Sequence, residues 1–227
     1  MSVDAGFAPA LSGPSASRIA FLRSVGFHTF MGLSIAAATA IASMLYLAPA
    51  MMGGGFFVVL GAFFFSHFAC RRMVYGNFKL PGFILASVGE GIAFGFLLLS
   101  TVLRLGAENA FSVVTQAMLL TAGTGGGFLL YTWFNKSDLS LVRAGLSILG
   151  LPLLFLMAFT WFFPVGGIVG LIICAVFVVA SGAALLYQLN QVVHAEEEQV
   201  VEASYEITMA LLVLLWNLIS LLNRLRR

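Results

Sequence analysis

The closing stretch, Leu185 to Arg227, reads LLYQLNQVVHAEEEQVVEASYEITMALLVLLWNLISLLNRLRR. It holds the end of one apolar segment, an acidic connector, and a last apolar segment carrying Asn217 before an arginine-rich tail. If two helices turn back on each other across the connector, Gln188 and Asn217 can face each other inside a membrane. The two residues are 29 positions apart. Facing each other therefore requires each helix to continue about 10 residues beyond its polar group, near 15 Å at the rise of an α-helix.

The rest of the chain shares the apolar character of this stretch. Hydrophobic residues make up 61% and charged residues only 9% of the 227 positions, and mean hydropathy is +1.05. A soluble domain needs roughly 25% charged residues to cover its surface, so these values describe a membrane protein. At about 20 residues per crossing there is room for some six to eight helices and for no soluble domain. A formal charge of +2 lacks the strong basic patch of a nucleic-acid-binding protein. Cys70 and Cys174 lie in or beside apolar segments, where cysteine behaves as a small buried hydrophobe.

Charged residues and Pro/Gly breaks divide the chain into seven candidate spans. They run at about 21–47, 56–73, 83–103, 111–134, 144–163, 165–187 and 205–222. Spanning segments in lipid must pair their own backbone groups, and none of these shows the ten-residue alternation of a membrane barrel. The fold class expected is an all-α bundle of seven transmembrane helices, residues 21–227, behind a polar N-terminal tail, residues 1–20. The run after Arg23 is longer than a secretory h-region and reads as a retained first span.

Lys and Arg set the expected orientation. The side of the N-terminus collects Arg18, Arg23, Arg71, Arg72, Lys79, Lys136 and Arg143, against Arg104, Arg224, Arg226 and Arg227 on the other. This places the N-terminus in the cytoplasm, although the terminal arginine cluster pulls the other way. A re-entrant segment would put both termini on the cytoplasmic side. Gly91 and Gly95 form a GxxxG pair, and Gly123, Gly125, Gly126 and Gly127 interrupt the fourth span. Such glycines let helix backbones approach closely, or mark a hinge or cavity wall.

Among acidic residues, Glu90 lies well inside a span. A charged carboxylate there costs on the order of 2.5 kcal/mol or more, so it must face the interior, find a partner or stay protonated. It is a pore candidate or a structural, protonated acid. His28 and His67 lie in the first two spans without a third ligand at metal spacing and read as packing histidines or ligands. Arg71 and Arg72 sit at a span end where arginines snorkel, and with His67 they are possible partners for a carboxylate or carboxamide. Glu196, Glu197 and Glu198 beside His194 read as a solvated loop or a weak cation vestibule. The sequence carries no P-loop, HExxH, GxSxG or CxxC, which argues against an enzyme.

Several stretches, in order, carry a resemblance: Glu90-Gly91, QAMLLTA (Gln116 to Ala122), FNKSDLS (Phe134 to Ser140), Pro164, and SGAALLYQLNQVV (Ser181 to Val193). Together they resemble the Bax inhibitor family of seven-helix membrane proteins. That family has a motif similar to LYDTQ after the sixth span and a last span containing LDIINLF, over which WNLISLL (Trp216 to Leu222) lies. The resemblance implies a central last helix wrapped by three hairpins. It also implies a pH-sensitive calcium leak channel gated by paired aspartates, or, for some bacterial members, a modulator of a membrane-bound AAA protease of the FtsH type.

Gln188 and Asn217 stand where the aspartates would be. Two carboxylates share a proton and titrate as a pair, whereas two carboxamides cannot. The expectation is a pore or gating set of Glu90, Gln188 and Asn217 in a bacterial cytoplasmic membrane. No resident cofactor is expected, Ca2+ is the candidate transported ion, pH gating through the amide pair is lost, and conduction depends on Glu90. The alternative is a non-conducting regulator that meets a membrane protease or a stress-response partner through its N-terminal tail or loops. A solute transporter would show inverted repeats, and none is evident.

Overall fold

The computed structural model describes residues 16–134, 166–194 and 199–226, with scattered positions between 139 and 156. The expected fifth span at 144–163, the NKSD exit, Pro164, the acidic run Glu196 to Glu198 and most of the N-terminal tail lie outside the described residues, as does the side chain of His194. Everything described is helix or short connection. Six helices are long and apolar enough to cross a bilayer: α1 Ser17–Ala50, α2 Gly55–Val74, α3 Lys79–Leu105, α4 Ala107–Phe134, α5 from Gly167 to His194 and α6 Val200–Leu225.

Local sequence explains the ends and irregularities. Pro49 sits in the last turn of α1, where its ring crowds the carbonyl one turn earlier and its missing N–H breaks the ladder. The helix accommodates this by widening to π geometry over Ser43–Leu47. A second π stretch in α2, Phe65–Cys70, shifts the register of Ser66 and His67 relative to the preceding turns. Helix α3 stops at Gly106, whose φ of +77° favours glycine, and α4 begins one residue later.

The chain alternates between two faces. Arg18 at the start of α1 donates to the carbonyls of Val192 and Val193 at the end of α5. At the other face Arg226 donates to Ser112 near the start of α4. The described chain thus begins and ends on opposite faces. Phe134, at the end of α4, stands on the N-terminal face, and Gly167, at the start of α5, stands on the opposite one.

Helix α6 packs against α1, α2, α3, α4 and α5, as the central last helix of the expected bundle. Its inward side carries Ala203, Tyr205, Ile207, Met209, Leu212, Leu214, Leu218 and Ile219, all buried. The outer surface is apolar as well: Phe27, Phe30, Phe57, Phe111 and Ile168 are each at least 66% exposed. A soluble protein avoids such a surface, whereas lipid covers it. Buried hydroxyls are spent on backbone carbonyls within their own helix, as with Ser87 to Phe83 and Thr208 to Ser204. A few cross between helices, such as Ser43 to Ile92 and Tyr205 to Ser66.

The GxxxG pair in α3 works as close packing. A Cβ at Gly91 would lie 2.5 Å from the Ala36 carbonyl oxygen and 2.7 Å from Thr39, and one at Gly95 would meet Ser43 and the Met44 nitrogen. Backbone cannot yield as a side-chain tip can. In the α4 run, Gly123, Gly126 and Gly127 meet nothing within 4 Å. Gly91→Ala is therefore expected to lower stability by about 1–3 kcal/mol through overpacking, while Gly126→Ala is nearly neutral. Thermal unfolding of the two purified variants in detergent checks the contrast.

Candidate functional site

The polar groups of the bundle gather near its N-terminal face, around the first two turns of α6. Glu202 and Glu206 are one turn apart and therefore share a side of the helix. Glu206 is the hub. Its Oε1 accepts the Tyr75 hydroxyl at 2.8 Å and lies 3.1 Å from Arg71 Nη2, and its Oε2 accepts the Gln188 amide at 3.1 Å. Arg71 in turn lies over the Tyr75 ring, 5.6 Å from its centre. One carboxylate thus ties α2, the α2–α3 turn and α5 to the central helix. Glu202 is buried and pairs with Lys79 at the start of α3, 2.5 Å away.

Deeper in, Glu90 of α3 is 4% exposed. Its Oε1 has no aligned hydrogen bond, although His67 Nδ1 is 3.1 Å away. The same nitrogen faces the Phe63 carbonyl oxygen at 3.2 Å. This nitrogen is thus within reach of both its own helix backbone and the Glu90 carboxyl group. The ring is stacked on Phe63 and borders a cavity of about 480 Å³ between α2 and α6, which Arg71, Arg72 and Glu206 also line. His67 therefore stands between an open cavity and a carboxylate in the core.

The expected contact between Gln188 and Asn217 is not formed. Asn217 donates, weakly, to the Phe177 carbonyl at 3.4 Å, eleven positions before Gln188 in α5. The reason is register. With α5 ending at His194 and α6 starting at Val200, Gln188 lies opposite Glu206 and Asn217 opposite Phe177. Facing Gln188 with Asn217 would need a register several residues away from this one. Glu90 is accordingly not the lone carboxylate of the bundle, because Glu202 and Glu206 are inside it as well.

Arg71, expected as a possible partner, pairs with Glu206, and His67 lies beside Glu90. Arg72 lines the cavity without a carboxylate partner among the described residues. His28 bonds the Ser24 carbonyl within its own helix and meets the edge of Phe27, as a packing histidine does. Glu202, Glu206 and Tyr75 were missed as site residues. The signal was two one-turn pairs, Arg71 with Tyr75 and Glu202 with Glu206, whose chemistries complement each other across helices. Among the described residues no three His, Cys, Asp or Glu side chains converge to hold a metal.

These features define a multi-pass helical membrane protein with interior carboxylates latched by basic and hydroxyl groups at one end. The chain belongs to the Bax inhibitor family: residues 18–227 match the family described as inhibitor of apoptosis-promoting Bax1. It is also 31% identical over 174 residues to an uncharacterised protein of Pseudomonas aeruginosa, covering 74% of this chain and 72% of the relative.

Tyr75 lies just beyond the α2 span, and its phenol is pushed up to about 12 by burial and by the charge of Glu206. A raised value in the fold means that the proton is held more tightly there than in the unfolded chain. The hydroxyl contact with Glu206 is thus fully present below the ordinary tyrosine value of about 10 and is lost as pH climbs towards about 12. Phenolate absorbance measured around pH 10, where an ordinary tyrosine titrates, should be the same in Tyr75→Phe as in the parent chain, and the two should part only towards about 12.

Proposed function

We propose that this protein is a cation leak pathway of a bacterial cytoplasmic membrane, held closed in this conformation, with Ca2+ as the candidate ion. The observation that carries the reading is the pair of interior carboxylates, Glu206 on the cavity wall and Glu90 one imidazole behind it. Acidic side chains at membrane depth attract and pass cations, and a functional role is the default for them. The closure has two parts. At the mouth, Arg71, Tyr75 and Gln188 occupy the oxygens of Glu206. Below Glu90 the interior is apolar, with Phe94 set edge-on against Trp216 and with Val113, Leu214 and Leu218 buried. A cation therefore needs α6 to move relative to α3, and the Glu206 latch restrains that motion.

In the orientation we propose, the latch face is cytoplasmic, since Arg18, Arg23, Arg71, Arg72 and Lys79 gather there against Arg104, Arg224 and Arg226 on the other face. The opposite placement of Phe134 and Gly167 supports a seventh crossing between them, where the fifth span was expected.

Substituting Glu206 removes the charge that holds Arg71. Glu206→Gln and Arg71→Gln should each raise the Ca2+ leak into proteoliposomes several-fold at neutral pH. Glu90→Gln, placed in the Glu206→Gln background, should bring it back down. An absent leak would reject conduction and favour the non-conducting regulator of a membrane protease, and a leak identical in all of these folded variants would reject the Glu206 latch.

A further inference from the structure

The cavity beside the latch carries a charge that the latch does not use. Helix α2 runs from Gly55 through Phe56, Phe57, Phe63, Phe64 and Phe68 before it reaches Arg71 and Arg72. The seventeen steps from Gly55 to Arg72 rise about 26 Å, close to the thickness of the hydrocarbon core, which puts the two guanidinium groups near headgroup depth. Arg71 turns inward to Glu206. Arg72 lines the same cavity and has no carboxylate partner among the described residues. The two arginines on the wall outnumber the Glu206 carboxylate by one positive charge.

The remaining walls are apolar. Phe63 and Phe68 from α2 and Met209 from α6 continue the cavity towards the membrane interior. Phe68 is 60% exposed and Phe57, further along the same helix, is 74% exposed, so this side of α2 faces lipid. A space of about 480 Å³ with one net positive charge at headgroup depth and an apolar floor matches an amphiphile with a singly charged phosphate. We propose that this cavity binds the phosphate of an anionic phospholipid from the surrounding leaflet. Arg72 is the principal contact, the N–H groups of Arg71 not turned to Glu206 are the second, and an acyl chain lies along Phe63, Phe68 and Met209. Guanidinium forks suit phosphate oxygens because several parallel donors meet one anion. The apolar floor favours a lipid over free phosphate, which would leave that floor uncovered. The site goes beyond the leak reading and does not rest on it, because binding is measured without flux.

The purified full-length chain in neutral detergent, offered equal amounts of phosphatidylglycerol and phosphatidylcholine and read by native mass spectrometry, should retain phosphatidylglycerol preferentially. One basic side chain near a membrane surface corresponds to about a fivefold preference. Arg72→Gln should remove that preference, Arg72→Lys should keep part of it, and Met209→Trp, which fills the floor, should reduce retention of both lipids. Arg72 is exposed and outside the latch, so its variants should unfold at the parent temperature. Equal retention of the two lipids by the parent chain, or a preference untouched by Arg72→Gln, would overturn the proposal. Displacement of bound phosphatidylglycerol by millimolar inorganic phosphate would overturn the assignment to lipid and leave a site for a free anion.

Discussion

A carboxylate placed inside a bilayer has to be matched, and at Glu206 the matching groups come from three directions. Arg71 belongs to α2, Tyr75 to the turn that follows it and Gln188 to α5. Leaving a buried charge of this kind unmatched costs on the order of 3–5 kcal/mol, so these elements are drawn to one point on the central helix. Glu202, one turn earlier, does the same for the start of α3 through Lys79. The first two turns of α6 therefore set how the N-terminal face closes, and Arg18 completes it by bonding the last carbonyls of α5.

Away from that face the described residues form no comparable carboxylate latch. Lipid is as apolar as leucine, so helix association there depends on close approach and on the few hydrogen bonds that cross between helices. Gly91 and Gly95 bring α3 against α1, and the two π stretches reset side-chain register where α1 and α2 meet α3. The stretch in α2 has a chemical consequence as well as a packing one. It carries His67 towards Glu90 while the ring still reaches the cavity, and so connects the core carboxylate to the latch face.

Much of this was legible in residue order. Six of the expected spans correspond to the six described helices, with ends moved by a few residues, and the centrality of the last helix followed from the family resemblance. Glu90, His67 and Arg71 were picked out because polar groups in apolar runs must find partners. The pairing across the last hairpin was misread for a definite reason. An antiparallel pair is fixed by its register, and facing Gln188 with Asn217 assumed a register several residues away from the one in which Gln188 meets Glu206 and Asn217 meets Phe177. Glu202 fell before the expected last span and Glu206 at its start, so neither was singled out, although both are on the interior face of the first two helical turns.

The sequence by itself determined a multi-pass helical membrane protein. Its apolar content leaves no surface for water, and its uninterrupted runs leave no other way to pair backbone groups in lipid. It also determined which side chains would need company. The tertiary structure decided the company they keep, placing Gln188 against a carboxylate instead of an amide, His67 between cavity and core, and Arg72 on the cavity wall without a carboxylate partner among the described residues. Those outcomes depend on helix register and crossing to within a single turn, about 5.4 Å. That distance is shorter than the uncertainty with which a run of apolar letters locates the end of a helix.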